Sequence, residues 1–228
     1  MLFLYISWLI DNQIMSIYKE KYLQLLNELN GKATLIAVSK TKPIEDILEL
    51  YNVGQRDFGE NYVQELIEKQ ITLPKDIRWH FIGHLQSNKV KYIASFIHLI
   101  HGIDNENLLK EVNKQAAKNN RIIDCLLQVH IAREETKFGL SEAELATLAE
   151  YLSVNPLNNV NIKGLMGMAS FSGDKNLIRS EFTNLKKLFL KHKQFSILSM
   201  GMSSDYTIAI EEGSNMVRIG SLLFGQRN

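Results

Sequence analysis

The sequence predicts an α/β protein, a single (β/α)8 TIM-type barrel with an extra N-terminal helix. Eight short apolar runs alternate with helical stretches, the pattern of a parallel sheet covered by helices, and eight strands suffice to close a barrel. No G-x-G-x-x-G occurs in the chain, whereas the rival open doubly wound sheet normally carries such a turn after its first strand. Polar residues of functional type gather where the apolar runs end, which is where the loops of a barrel build sites.

Taken in order, residues 1–14 ("MLFLYISWLIDNQI") are apolar until Asp11 and Asn12. They lack a basic leader and a small-residue cleavage site, and are too short to span a bilayer. The expectation is an extension or mis-assigned start, with a weak membrane anchor as the alternative. Met15 opens "MSIYKEKYLQLLNELNG", an amphipathic helix that Gly31 ends, and begins the barrel domain, 15–228. Strands are expected at 34–40, 55–59, 78–83, 97–102, 122–131, 161–168, 196–201 and 216–220. Helices are expected near 43–53, 60–69, 86–95, 105–119, 141–153, 174–192 and 204–212. Leu145, Leu148 and Leu152 form a stripe that packs one helix on the barrel.

Composition narrows the function classes. The 228 residues are 45% hydrophobic, normal for a packed core, and 26 basic against 25 acidic residues leave a formal charge of +1. That balance offers no electrostatic footprint for nucleic acid or an anionic membrane. Cys125 is the single cysteine, so no internal disulfide forms, which suits a cytoplasmic protein. It lies in the apolar run "IIDCLLQV" and reads as a small buried hydrophobe.

The candidate chemistry lies at the strand ends. "LIAVSKTKP" places Lys40 at the tip of an apolar strand, where partial desolvation favours the neutral amine, a nucleophile able to form an imine with an aldehyde. Lys42 lies beyond the strand, before the helix that Pro43 opens at its first position, and is expected to face solvent. In "MGMSSDYTIAIEEG", Ser203 and Ser204 are expected to cap a short helix ending at Gly213, a ready anion site. In "MVRIGS", Arg218 and Gly220 share one strand face; Gly220 admits close approach to the backbone and Ser221 adds a donor. Taken singly, Ser203 reads as well as a cap and Gly220 as packing relief. Arg218, pointing into a barrel, needs either an internal salt bridge or a ligand. An amine, an anion cradle and a ring-facing arginine together describe a site for a phosphorylated aldehyde. Pyridoxal 5'-phosphate (PLP) fits, with Lys40 as its Schiff base.

Seven blocks in collinear order, "AVSKTKP", "FGENYVQE", "WHFIGHLQSNK", "KFGL", "GLMGM", "LSMGMSSD" and "GSNMVRIGSLLFG", resemble the pyridoxal phosphate homeostasis protein family (the YggS/PROSC type). That family shares the barrel of the alanine racemase N-terminal domain. The resemblance spans residues 15–225 and implies that Lys40 carries the cofactor. It further implies that Ser203, Gly220, Ser204 and Ser221 contact the phosphate and that Arg218 faces the pyridine nitrogen. Asn61, His84 and Met168 are implied to line the ring pocket. Ser221 stands where the family commonly has Thr, and His84 where some members have Pro, so no general catalytic role attaches to that imidazole.

The resemblance implies a PLP-binding protein of cofactor homeostasis without strong catalysis of its own; the single cysteine and the absence of a racemase-type second domain lead us to expect a cytoplasmic monomer. PLP-dependent apo-enzymes are its candidate recipients. A permanently charged Arg218 disfavours protonation of the ring nitrogen and weakens the cofactor as an electron sink. The chain ends three residues after "LFG", so no racemase-type second domain, with its tyrosine base, is expected. Two alternatives remain. One is a fold-type-III PLP-dependent amino-acid racemase using Tyr62 or His84 as base. The other is a cofactor-free Schiff-base aldolase on Lys40, which needs a carboxylate or second lysine inside the barrel. The tripeptide "DFG" at 57–59 is a chance match to a kinase motif. His80 and His84 lie four apart with no partner cluster evident in the sequence, so no metal is expected. Lys137 reads equally as a site residue or as a solvated loop lysine.

Overall fold

The computed structural model describes residues 19–225, so the expectations for 1–14 and for the start of the first helix lie outside the described residues. Eight strands form: β1 (Thr34–Val38), β2 (Asp57–Glu60), β3 (Arg78–Phe81), β4 (Leu99–Ile103), β5 (Ile123–Val129), β6 (Val160–Gly167), β7 (Ile197–Met202) and β8 (Met216–Ile219). They pair in chain order into a closed barrel, all parallel. The seam runs from Thr34 opposite Met216 to Ala37 opposite Ile219.

Residues 19–29 form the helix α1, and left-handed Asn30 (φ 44°) and Gly31 (φ 70°) turn the chain into β1. Outside the strands lie α2 (Ile44–Asn52), α3 (Val63–Thr72), α4 (Val90–Ile93), α5 (Glu106–Lys118), α6 (Glu142–Val154), α7 (Lys175–Leu190), α8 (Tyr206–Glu211) and α9 (Ser221–Phe224). Three details differ from the sequence expectation. Pro43 is the N-cap of α2, in extended conformation with ψ 163°, and the helix begins at Ile44. The stretch expected as one helix at 86–95 divides into a 3-10 turn, Ser87–Lys89, and the single turn of α4. Helix α9 follows β8 directly, where no helix was expected. The stripe on α6 packs inward as read, with Leu145 and Leu148 buried and Leu152 half-buried.

Alternation along the strands sorts side chains into two populations. The outward set, including Phe58, Trp79, Phe81, Cys125 and Val217, joins the helices in the main core. Cys125 is fully buried, and burial pushes its thiol pKa up. The inward set has a much smaller apolar cluster: Ile36, Leu99, Leu126, Met166 and Met216, with Met168 and Ile197 against it. The rest of the lumen is polar, with Asp57, His80, His101, Ser199 and Arg218 all buried. At the N-terminal end Arg78 donates two hydrogen bonds to Asp57, one of them at 2.7 Å, and His80 Nε2 lies 3.0 Å from the same carboxylate. Among the described residues, no helix is long and apolar enough to cross a membrane.

One glycine sets the strand spacing. A Cβ on Gly164 would stand 1.8 Å from the Ile197 carbonyl oxygen, inside the β6–β7 ladder. Gly164→Ala is expected to cost about 3 kcal/mol or more, the upper end of overpacking penalties, read as a lower urea midpoint at unchanged m.

The lumen also predicts a pH dependence. Burial acts to raise the Asp57 pKa, but hydrogen bonds from Arg78 and His80 outweigh it and hold the carboxyl well below the usual range. Burial lowers the pKa of both His80 and His101. Both imidazoles stay neutral in the fold, while the unfolded chain protonates them below about pH 6.5. The stability this provides is complete above that pH and is lost as pH falls toward the depressed folded values. Unfolding free energy is expected to drop by roughly 1.4 kcal/mol per pH unit for each imidazole. Thermal melts between about pH 7.5 and 5 check this, with a shallower slope in His101→Gln.

Candidate functional site

Lys40 follows Ser39, which is fully buried on the outward side of the barrel, so Lys40 starts from the inward side and is half-buried. The chain on either side of it is clamped. Ser39 Oγ donates to Glu60 Oε1 (2.6 Å), and the Ser39 carbonyl accepts from Lys69 Nζ (2.7 Å). Lys69 also reaches Glu60 (2.8 Å) and Glu65 (2.6 Å). Thr41, left-handed at φ 62°, donates its N–H to Glu65 Oε1 (2.6 Å). Burial raises the pKa of Glu60, with Lys69 opposing. Lys42 does not face solvent as expected: it is half-buried, and its ammonium donates to the Phe224 carbonyl (2.8 Å), tying the β1 loop to α9.

Across the seam, Arg218 is 4% exposed. Its Nη1 donates to Ser199 Oγ (2.6 Å) and its Nη2 to the Gly167 carbonyl (3.1 Å). Among the described residues no carboxylate lies within ion-pair distance, so the internal salt bridge considered from the sequence is not what holds it. Burial lowers its pKa to about 10. Two positions further along the same face, the Gly220 N–H donates to Ser203 Oγ (3.3 Å). The φ of Gly220, −120°, is open to any residue, and an added Cβ would meet Val38 only at 3.4 Å. Neither backbone nor packing therefore demands glycine there.

The expected serine cap is corrected. Asp205 occupies the N-cap of α8, and its carboxylate accepts from the Met202 N–H (2.6 Å). Ser203 instead links β7 to Gly220, and Ser204 is exposed. Ser221 opens α9 directly after its N-cap, Gly220, and is exposed at a turn whose first N–H groups have no intrahelical acceptor. Met168, half-buried, packs at the top of the inner apolar cluster.

Asn61 and His84 share a cavity of about 480 Å³ with Tyr62, Gln86 and Lys89, between the loops that follow β2 and β3. Asn61 Oδ1 is buried without a hydrogen-bond partner among the described residues. His84 stacks on Phe138, with ring centroids 3.9 Å apart, and its Nδ1 lies 3.2 Å from Asp104. Tyr62 is 57% exposed. Ser204 lines a second cavity of about 440 Å³ with Met202, Ala169 and Lys137. Lys137 is not a solvated lysine: its ammonium donates to the Ala169 carbonyl (2.6 Å) and pairs with Glu134 (3.1 Å). The nine candidate residues thus all lie at the C-terminal end of the barrel, divided between the strand ends and two neighbouring cavities.

His80 does have partners that spacing could not reveal. Asp57, His80 and His98 bring one ligand-type atom each within 4.8 Å of one another at the opposite end of the barrel. Both Asp57 oxygens are engaged by Arg78, whose positive charge opposes a cation there. The sequence reading also missed Glu60, Glu65 and Lys69. Their signal was present, since Glu65 and Lys69 are four apart on α3 and Glu60 ends β2. His101 and Ser199 carried no signal beyond lying in apolar strands.

Residues 17–228 match the family model described as "Alanine racemase, N-terminal domain". Relatives called pyridoxal phosphate homeostasis protein include one from Aquifex aeolicus, 44% identical over 201 residues, covering 86% of this chain and 87% of that protein. Another, from Schizosaccharomyces pombe, is 39% identical over 212 residues, covering 90% and 89%. Among solved structures, PipY of Synechococcus elongatus, determined with PLP bound, aligns with a TM-score of 0.83 at 35% identity, covering 92% of this chain and all of that one. Alanine racemase from Bartonella henselae aligns with a TM-score of 0.73 at 16% identity, over 61% of its length, a likeness of fold alone. With the barrel, the family model over residues 17–228 and relatives at this identity over most of their length in agreement, the chain belongs to the pyridoxal phosphate homeostasis protein family.

Proposed function

We propose that this protein binds pyridoxal 5'-phosphate as a Schiff base on Lys40 and serves cofactor homeostasis, without strong catalysis of its own. The naming of its relatives and the PLP-bound PipY structure support the cofactor. The observation that carries the reading is Arg218: a buried guanidinium, held by Ser199 and the Gly167 carbonyl, with no carboxylate in ion-pair range among the described residues. When bound, the cofactor supplies an aldehyde for an amine and a phosphate for anchorage.

The chain's own residues fit those demands. Lys40 offers the amine from a clamped loop. Gly220, Ser203, Ser204 and Ser221 offer backbone and hydroxyl donors at the ends of β7 and β8, the usual phosphate position in such barrels. Asn61 brings a buried acceptor, and Met168 and His84 would line the ring side. Arg218 donates toward a ring nitrogen and keeps a proton off it, which suits retention more than carbanion chemistry.

A racemase needs a base poised at the site. Tyr62 is largely exposed, and His84 is committed to Phe138 and Asp104, so neither supports that reading. The aldolase reading asks for a carboxylate inside the barrel. Asp57 is there, but at the far end and bound to Arg78. We further propose that the protein acts as a cytoplasmic monomer, with PLP-dependent apo-enzymes as recipients.

Borohydride reduction of protein mixed with PLP, followed by peptide mass spectrometry, is expected to place a pyridoxyl group on Lys40. Lys40→Ala is expected to lose the visible absorbance band; a label on Lys137 alone would assign the amine elsewhere. Steady L-to-D amino-acid turnover, abolished by Lys40→Ala, would replace the carrier reading by the racemase one. Arg218→Glu is expected to change the absorbance of the bound cofactor and raise its reactivity toward amino acids. An unchanged spectrum and reactivity would make Arg218 purely structural.

A further inference from the structure

A continuous file of hydrogen bonds crosses the lumen from Arg218 to Asp57, and its direction follows from its two ends. Asp57 is engaged by Arg78 and, ionised, can only accept. Of the His80 nitrogens, Nε2 lies 3.0 Å from Asp57 Oδ1, so it carries the proton and donates. His80 Nδ1 is then an acceptor for His101 Nε2–H, 3.0 Å away. His101 Nδ1 is in turn an acceptor for the Ser199 hydroxyl at 3.2 Å. Ser199, having given its proton to His101, has only lone pairs left for Arg218, whose Nη1–H donates at 2.6 Å. Each donor points the same way, and both imidazoles must be neutral. His98, whose ring centroid is 5.3 Å from that of His80, Asp124, and Lys163, 3.8 Å from Asp124, are further titratable groups at this end among the described residues.

We propose that His101 and His80 are positioning residues: with Ser199 they form a one-way hydrogen-bonded file, anchored at Asp57, that holds the Arg218 guanidinium in place from the opposite end of the barrel. A reversed file would leave the Ser199 proton pointing at an arginine that cannot accept it. The two ends together therefore set the acceptor that Arg218 meets. For cofactor binding this rests on the reading proposed above; for the chain's own structure it does not.

The test uses 15N-labelled, ligand-free protein near neutral pH. Imidazole nitrogen spectra are expected to show both His80 and His101 as single Nε2–H tautomers, and resolved Arg218 Nη–H signals reporting arrested rotation. His101→Leu is expected to collapse the Arg218 signals, and His101→Gln, whose amide both donates and accepts, to restore them. Asp57→Asn, whose amide oxygen still accepts from His80 while Arg218 still bars the reversed file, is expected to keep both Nε2–H tautomers, and Ser199→Ala, which takes the acceptor from Arg218, to collapse the Arg218 signals should His101→Leu fail to fold. A cationic or Nδ1–H state of either histidine in the wild type, a second tautomer populated in Asp57→Asn, or Arg218 signals indifferent to His101→Leu or, where that variant does not fold, to Ser199→Ala would overturn the proposal. In a second arm, PLP affinity is expected to fall about three- to tenfold in His101→Leu and recover in His101→Gln, the worth of one hydrogen bond. No uptake of PLP by the wild type would remove the cofactor reading while the ligand-free spectra still decide the file. Equal affinity in wild type and His101→Leu would overturn the positioning role toward the cofactor.

Discussion

Closing eight parallel strands on one another creates an interior without bulk water, and that constraint governs the rest of this molecule. Residues on the inward faces cannot turn to solvent, so each polar group there must be satisfied by another. An ordinary barrel meets the constraint by filling its lumen with branched aliphatic side chains. This one fills only part of it that way, with Ile36, Leu99, Leu126, Met166 and Met216, and meets the remainder with a polar column. The column is affordable because its ends are charged and fixed: Asp57 held by Arg78, and Arg218 held by Ser199 and Gly167.

The same logic operates outside the barrel wall, beneath the loop that carries Lys40. Lys69, Glu60 and Glu65 form a largely buried charged cluster whose hydrogen bonds end on the residues flanking Lys40. Such a cluster adds little net stability, yet removing one partner strands a buried charge, at about 3–5 kcal/mol. Its physical consequence is geometric. Hydrogen bonds hold the chain at Ser39 and Thr41, and so fix where the lysine between them leaves the wall. Lys42, bound to the Phe224 carbonyl, ties the loop after β1 to the turn after β8. The two strands that meet at the seam thereby hold their candidate residues side by side.

Much of this was legible in the sequence because strand periodicity and strand-end composition are local properties. The eight strands, the inward face shared by Arg218 and Gly220, and the burial of Cys125 follow from short-range pattern. The errors have local causes too. Ser203 and Ser204 precede a helix and look like caps, but Asp205 takes the N-cap and Ser203 is drawn to Gly220 on the neighbouring strand. Lys42 looks solvent-bound because its acceptor, the Phe224 carbonyl, is 182 residues away in the chain. His80 looks partnerless because Asp57 and His101 come from the strands on either side of it.

The sequence by itself determined the barrel, the placement of candidate chemistry at its C-terminal end, and the family. Those depend on residue types at fixed spacing along the chain, and spacing is what a sequence records. Only the tertiary structure decided which polar groups meet. Glu60 with Ser39, His101 with Ser199, and Arg218 with the Gly167 carbonyl are contacts across strands, whose register and inward angle arise from closure. Closure is a property of all eight strands together, so no single stretch of the chain encodes it.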